Sequence, residues 1–276
     1  ITLEKRIGAG AFGEVWRASC NGSSSALKRV RIKPDFDDTD KMDMTEVVQF
    51  FTEIMVLLKL RHNCLLRLNH ITFSRPESEL ALITEFLDGG DLGSLLRHPK
   101  TGATLPRQPI RVLLRIWREF FSGVSYLHDN YVIHRDLKPE NIMMVRDVKY
   151  MDVADFGGNS GHTFVKIVDF GHANVVPLRS QLLDAQGATV FDAEDISPNC
   201  SMTCRDRGTP VYRPPEVIPY DAESDRILPA DARMYSVKAD VYSAGMVLWE
   251  CWTRNRPFGQ GSAAKYHPIA LDKAIA

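Results

Sequence analysis

The chain has 276 residues, 44% of them apolar and 25% charged, with a formal net charge of -1. This is ordinary globular composition, long enough for a sizeable core in one large domain or two lobes. The near-zero charge argues against a whole-surface attraction to nucleic acid, and no apolar run approaches the roughly 20 residues that a membrane span needs.

Five cysteines, Cys20, Cys64, Cys200, Cys204 and Cys251, are odd in number and scattered. That pattern suits a reducing, intracellular and cytoplasmic setting better than a disulfide framework. Cys200 and Cys204 stand close together, but no second Cys or His pair follows at zinc-site spacing, so they read as free thiols. The sequence opens on Ile1 without a signal-like start, which reads as a domain taken from something longer.

Strands are expected first. Residues 1–7, 14–20 and 25–32 are short alternating runs broken by Gly and by Asn-Gly. An acidic linker, 35–43, follows. Across 44–60, Val47, Phe50, Phe51, Ile54, Leu57, Leu58 and Leu60 recur at helical spacing. Two more strand-like runs, 65–73 and 80–87, lead to the Gly89-Gly90 turn. Thereafter the pattern is helical: a short 91–97, a long amphipathic 110–130, and 237–252. The last is apolar nearly all round and is expected to be a buried central helix. A strand-rich first third and a helix-rich remainder imply two unlike lobes. Residues 146–162, 179–207 and 220–235 read as insertions or long loops.

Several motifs carry chemistry. Gly8-Ala9-Gly10-Ala11-Phe12-Gly13-Glu14-Val15 has glycines that let backbone approach phosphates closely. Alone it also fits a plain hairpin turn. A dinucleotide fold requires a helix directly after the third Gly, and the strand pattern of 14–20 disfavours that. Lys28 follows Ala26-Leu27 on the next strand. Glu53 on the 44–60 helix is its expected ionic partner, placing the ammonium against ATP phosphates, with Glu46 as a competing carboxylate. The run His134-Arg135-Asp136-Leu137-Lys138-Pro139-Glu140-Asn141 offers, within one loop, an acceptor for a hydroxyl proton, a cation and an amide ligand. Phosphoryl transfer needs such positioned charge more than covalent chemistry.

With that loop the chain resembles the eukaryotic protein kinase family along nearly its whole length. The resemblance implies an α+β bilobal fold: a small antiparallel sheet lobe with one helix, 1–86, a hinge, 87–91, and a larger mainly helical lobe, 92–276. It implies an ATP-dependent phosphotransferase with Mg2+ or Mn2+ that acts on protein substrates. By it, Asp136 is the catalytic base, Lys138 steadies the γ-phosphate and Asn141 binds a metal. Gly8, Ala9, Gly10 and Gly13 cover the phosphates. Thr84 is the gatekeeper of a hinge resembling Leu82 to Gly90; backbone groups of Glu85 and Leu87 bond adenine; Asp91 reaches the ribose; Val15, Ala26 and Met143 enclose the purine. Leu57, Leu68, His134 and Phe170 are implied to stack between the lobes, anchored by Asp240. Lys138 and the segment Gly208-Thr209 to Glu216 resemble the serine/threonine branch, with Thr209 bonding Asp136 and Lys138. The runs Val15 to Ala18 and Asp240 to Glu250 resemble its tyrosine-kinase-like group.

Two Asp-Phe-Gly triplets compete for the metal. Asp155-Phe156-Gly157 lies 14 residues beyond Asn141 (155 − 141), the more usual spacing for the family; Asp169-Phe170-Gly171 lies 28 beyond (169 − 141). The flanks favour the second. Residues 164–168 form a clean strand pattern leading into Asp169, whereas Gly158-Asn159-Ser160-Gly161 after the first reads as a loop tip. Asp169 is therefore assigned to the metal, which makes 146–162 an enlarged hairpin.

Arg135 beside Asp136 implies a buried cation that wants an anion. This fits phosphorylation of Ser197, Ser201 or Thr203 by an upstream kinase or in trans by a second copy. Pro214 stands where the family usually has Ala. Glu216 is expected to be a buried carboxylate whose downstream arginine, with the last helices, is missing from the sequence, and so to weaken the fold. The rival reading from another class is a pseudokinase or nucleotide-binding scaffold. Its usual sign, loss of the strand Lys, the loop Asp or the metal Asp, is not seen. The segment 208–216 disfavours a small-molecule kinase.

Overall fold

The fold is seen in a computed structural model, described for residues 1–10, 13–31, 44–74, 79–97, 108–147, 163–175, 209–217, 220–221, 226–227 and 236–258. The first part is a five-stranded antiparallel sheet ordered β1-β2-β3-β5-β4: β1 Thr2–Gly10, β2 Gly13–Cys20, β3 Ser23–Arg31, β4 Leu68–Ser74 and β5 Glu79–Glu85. β1 and β2 pair as far as Gly10 opposite Gly13, so the glycine-rich run is a hairpin continued by strand, without a helix. Asn21 and Gly22 take positive φ, +50° and +78°, at the β2–β3 turn.

Helix α1, Met44–Lys59, packs the buried Phe50, Ile54, Val56 and Leu57 into the same core as Leu82, Leu127 and Phe170. Phe51 and Leu58, expected on the apolar face, are exposed together with Val48 and Met55. The helix has more apolar positions than one buried stripe can absorb.

β4 begins three residues later than the sequence pattern implies. Cys64 to Leu66 bond elsewhere: the Ile167 N–H donates to Cys64 O (2.8 Å) and the Leu66 N–H donates to Ile167 O (3.0 Å). This connection belongs to β8, Val165–Ile167, of the second part. After β5 the chain turns through Gly89 and Gly90. The Gly89 N–H donates to Met144 O, and a side-chain carbon at Gly89 would lie 2.3 Å from the Arg146 carbonyl. Gly90 takes φ +74°.

The second part is mainly helical: α2 Leu92–Leu96, α3 Ile110–Asp129 and α4 Val237–Thr253. Short pairs carry the loops between them. β6, Val132–Ile133, pairs with β9, Asn174–Val175; β7, Ile142–Met144, pairs with β8; β10, Tyr220–Asp221, pairs with β11, Arg226–Ile227. Buried Glu119 of α3 sits beside Arg115 and accepts the N–H groups of Phe164 (2.6 Å) and Val165 (3.0 Å). It thereby fixes where β8 resumes after residues 148–162.

α4 is not buried all round. Asp240, Ala244, Val247, Glu250 and Cys251 form the buried face, while Val241, Trp249 and Trp252 are exposed. Apolar content identifies a helix that packs but not how much of it is covered. Glu216, expected buried and unpaired, is exposed, so no desolvated carboxylate weakens the fold there. Among the described residues no helix is long and apolar enough to cross a membrane. The acidic linker, Asp155-Phe156-Gly157, Cys200, Cys204, Ser197, Ser201 and Thr203 lie outside the described residues.

Two helical glycines give opposite expectations. A side-chain carbon at the exposed Gly245 meets nothing within 4 Å, so Gly245→Ala is expected to add about 1 kcal/mol of stability through helix propensity alone. At buried Gly123 the same carbon lies 2.8 Å from Ile167 and 3.3 Å from Cys64, so Gly123→Val is expected to lower the urea midpoint. Paired urea melts check both signs.

Candidate active site

Between the sheet and the helical part lies a cleft of about 360 Å3. Gly8, Val15, Ala26, Lys28, Thr84, Glu85, Leu87 and Met143 line it, as the sequence implied. Ile7, Leu66, Leu82, Phe86 and Val168 line it as well, and sequence reasoning missed them. For Ile7 and Val168 the signal was available, because each directly precedes a glycine or aspartate already singled out.

Ala9, Gly10 and Gly13 lie in the β1–β2 hairpin. Asp91 caps the helix that follows the turn. Its Oδ1 accepts the Ser94 N–H (2.8 Å) as the N-cap of α2, and it does not line the cleft.

Lys28 and Glu53 meet across the cleft wall, Nζ to Oε2 at 2.5 Å. Register explains the first: the Ala26 to Lys28 stretch of β3 lies between β2 and β5, and the strand alternation turns Lys28 inward while Arg29 pairs with Glu14. Burial opposes the charge on Lys28, but the carboxylates of Glu53 and Asp169 outweigh it and hold the ammonium above its ordinary pKa. Burial pushes the Glu53 carboxyl up, against the pull of Lys28 and aided by Asp169. The side chain of the competing carboxylate, Glu46, lies outside the described residues.

The loop after β6 supplies the opposite wall. Asp136 is buried and heavily bonded. Its Oδ1 accepts from the Thr209 N–H (2.8 Å) and hydroxyl (2.9 Å); its Oδ2 accepts from Lys138 Nζ (2.6 Å) and Asn141 Nδ2 (3.1 Å). Lys138 Nζ also donates to Thr209 Oγ1 (3.0 Å). The expected triangle of Asp136, Lys138 and Thr209 is therefore present across 73 residues of sequence.

The loop is held from below. Asp240, fully buried on α4, accepts the N–H groups of His134 (2.8 Å) and Arg135 (2.9 Å) and contacts His128 Nε2 at 3.0 Å. Arg135 takes φ +66°, a conformation that costs a non-glycine residue about 1–3 kcal/mol and that the Asp240 bonds offset. The His134 ring sits 5.3 Å from Phe170, and Leu57, Leu68 and Phe170 share one buried cluster. His134 packs; its Nε2 meets Val168 O. Arg135 Nε donates to His172 O (2.6 Å) and its Nη2 to Ala173 O (3.1 Å).

Asp169 follows β8 and also takes a left-handed backbone, φ +62°. Its Oδ1 is buried without a hydrogen-bond partner among the described residues. Asn141 donates from Nδ2 to Asp136 O and Oδ2, which leaves its side-chain oxygen as an acceptor. Two hard oxygen donors, one of them an orphaned carboxylate oxygen, suit Mg2+ or Mn2+ completed by phosphate oxygens.

The pattern of the protein kinase domain family matches residues 1–275. The chain is 31% identical over 272 residues to the serine/threonine-protein kinase VIK of Arabidopsis thaliana, across 98% of this chain and 48% of that protein. It is 29% identical over 268 residues to the serine/threonine-protein kinase CTR1 of Arabidopsis thaliana, across 96% and 25% respectively. It is 29% identical over 261 residues to the dual specificity protein kinase shkA of Dictyostelium discoideum, across 94% and 38%. The chain thus spans about half or less of the length of these relatives. It belongs to the protein kinase domain family, whose members use ATP, and its fold is the bilobal kinase fold.

The buried Asp240 is expected to be the costliest polar residue to alter. Asp240→Asn turns one acceptor oxygen into an amide that faces a backbone N–H, and a loss of about 3 kcal/mol is expected from the urea midpoint.

Proposed function

We propose that this domain transfers the γ-phosphate of ATP to serine and threonine hydroxyls of proteins. The observation that carries the reading is the Asp136 carboxylate, held by Thr209, Lys138 and Asn141 across the cleft from the Lys28–Glu53 pair. In this reading residues 1–86 are the N-lobe, 87–91 the hinge and 92–276 the C-lobe.

The adenine lies in the cleft near Thr84, bonded by the backbone of Glu85 and Leu87 and enclosed by Val15, Ala26 and Met143. Lys28, oriented by Glu53, holds the α- and β-phosphates. Gly8, Ala9, Gly10 and Gly13 cover the phosphates with backbone N–H groups. Asn141 and Asp169 would hold the metal, which when bound neutralises charge on the phosphate oxygens. Asp136 accepts the proton of the incoming hydroxyl as the new O–P bond forms and the bond to the departing ADP oxygen breaks. Lys138 offsets charge on the transferred group, and Thr209 keeps the two side chains in register.

Relatives named as serine/threonine kinases support the hydroxyl class of the substrate, and an intracellular setting is proposed with it. The free thiols Cys20, Cys64 and Cys251 fit that setting. An upstream kinase or a second copy of this chain is proposed to modify Ser197, Ser201 or Thr203.

Radiolabelled ATP with a generic protein substrate tests the function. Asp136→Asn is expected to lower label transfer by about a hundredfold to ten-thousandfold while leaving ADP affinity within about twofold. Equal label transfer by wild type and Asp136→Asn sinks the enzymatic reading. The two triplets are separated in the same assay: Asp169→Asn is expected to abolish turnover and Asp155→Asn to leave it nearly unchanged.

A further inference from the structure

Outside the groups already described, a buried ionic cluster stands behind the cleft. Lys166, on β8 and three residues before Asp169, is 8% exposed. Its Nζ lies 2.9 Å from Glu85 Oε1 and donates to the carbonyls of Asn63 (2.9 Å) and Leu65 (3.1 Å). The same Glu85 oxygen accepts the Arg67 N–H (2.7 Å), and the Glu85 N–H donates to Arg67 O (3.1 Å).

The chain positions of these groups give the cluster its meaning. Glu85 is the last residue of β5 and lines the cleft. Cys64 to Leu66 are bonded to Ile167 of β8, so this connection travels with the helical part although it enters β4 of the sheet. Lys166 therefore joins the end of the sheet to the strand that leads into Asp169, at the place where the chain crosses between the two parts. A lone lysine there would be costly, but three acceptors surround the ammonium.

We propose that Lys166 and Glu85 form a positioning pair that fixes the spacing between the adenine end of the cleft and Asp169, and so sets nucleotide affinity without touching the nucleotide through either side chain. The proposal rests on the nucleotide reading of the cleft. Cutting the tie frees Glu85 to shift with the sheet while Asp169 stays with β8. Both ends of one bound nucleotide then no longer fit at once, and the protein substrate, which meets Asp136, is unaffected.

The test is calorimetric titration of the 276-residue chain with MgADP, set beside the KM for a peptide substrate. Lys166→Met and Glu85→Gln are each expected to weaken MgADP by about tenfold, with the peptide KM unchanged, from the loss of one charge-assisted bond. The double variant is expected to bind no more weakly than either single variant, because the two changes remove one interaction. Lys166→Arg is expected to restore affinity to within about twofold of wild type. Gln at 85 keeps an acceptor for the Arg67 N–H, so that variant carries the test if Lys166→Met does not fold. Wild-type affinity in a folded single variant, or additive losses in the double, overturns the proposal. A wild type that binds no MgADP fails one step earlier: it overturns the nucleotide reading of the cleft, and the pair's role with it.

Discussion

The carboxylate of Asp240 governs more of this molecule than any other single group. It is fully buried in α4, and a buried carboxylate is tolerable only where donors surround it. Two of those donors are the consecutive N–H groups of His134 and Arg135, in a loop that has no regular secondary structure to hold it. The consequence is a rigid loop on a rigid helix. Asp136, the next residue, inherits its position from bonds made one and two residues earlier, and Lys138 and Asn141 follow within the same turn. The left-handed backbone at Arg135 is part of this device, since it presents successive N–H groups to one carboxylate.

Against that fixed wall the other side of the cleft is assembled from contacts that span the sheet and α1. Lys28 and Glu53 are 25 residues apart, and their pairing requires α1 to stand close to β3. The desolvation of both groups would be unfavourable if either lost its partner, so the helix position and the ion pair stabilise each other. Phe170 adds an apolar register to the same arrangement: its turn packs on α1 while its ring faces His134 of the loop after β6. A displacement of α1 would therefore expose apolar surface and strand two charges at once.

The sequence made the site more legible than its surroundings, and the reason is physical. Asp136, Lys138 and Asn141 stand in one short loop, so their mutual bonding is written in nearby residues. Lys28 and Glu53 are readable because strand alternation and helical spacing each point a side chain in a known direction. The faces of α1 and α4 were not readable. Phe51, Leu58, Trp249 and Trp252 are apolar yet exposed, and which side of an apolar helix is covered depends on what else packs there. Asp91 was read as a ribose contact because its place after the hinge suits one. Its second role, capping the start of α2 through the Ser94 N–H, was also in the sequence. Lys166 was legible only as a strand residue: its partners Glu85, Asn63 and Leu65 are up to 103 residues away and include carbonyls that no side-chain pattern announces.

Arg135 shows how a correct residue can carry an incomplete inference. Its sequence position implies a buried guanidinium, and burial alone suggests a missing anion. The structure instead gives it the carbonyls of His172 and Ala173, immediately beyond Asp169-Phe170-Gly171. Carbonyl dipoles satisfy donors and offset part of the desolvation cost, but they carry no net charge. The guanidinium is thus positioned by backbone groups of the turn that carries Phe170. The bonds that align Asp136 with Asp169 run through the first residues after the triplet, so Arg135 couples the geometry of the two carboxylates to His172 and Ala173.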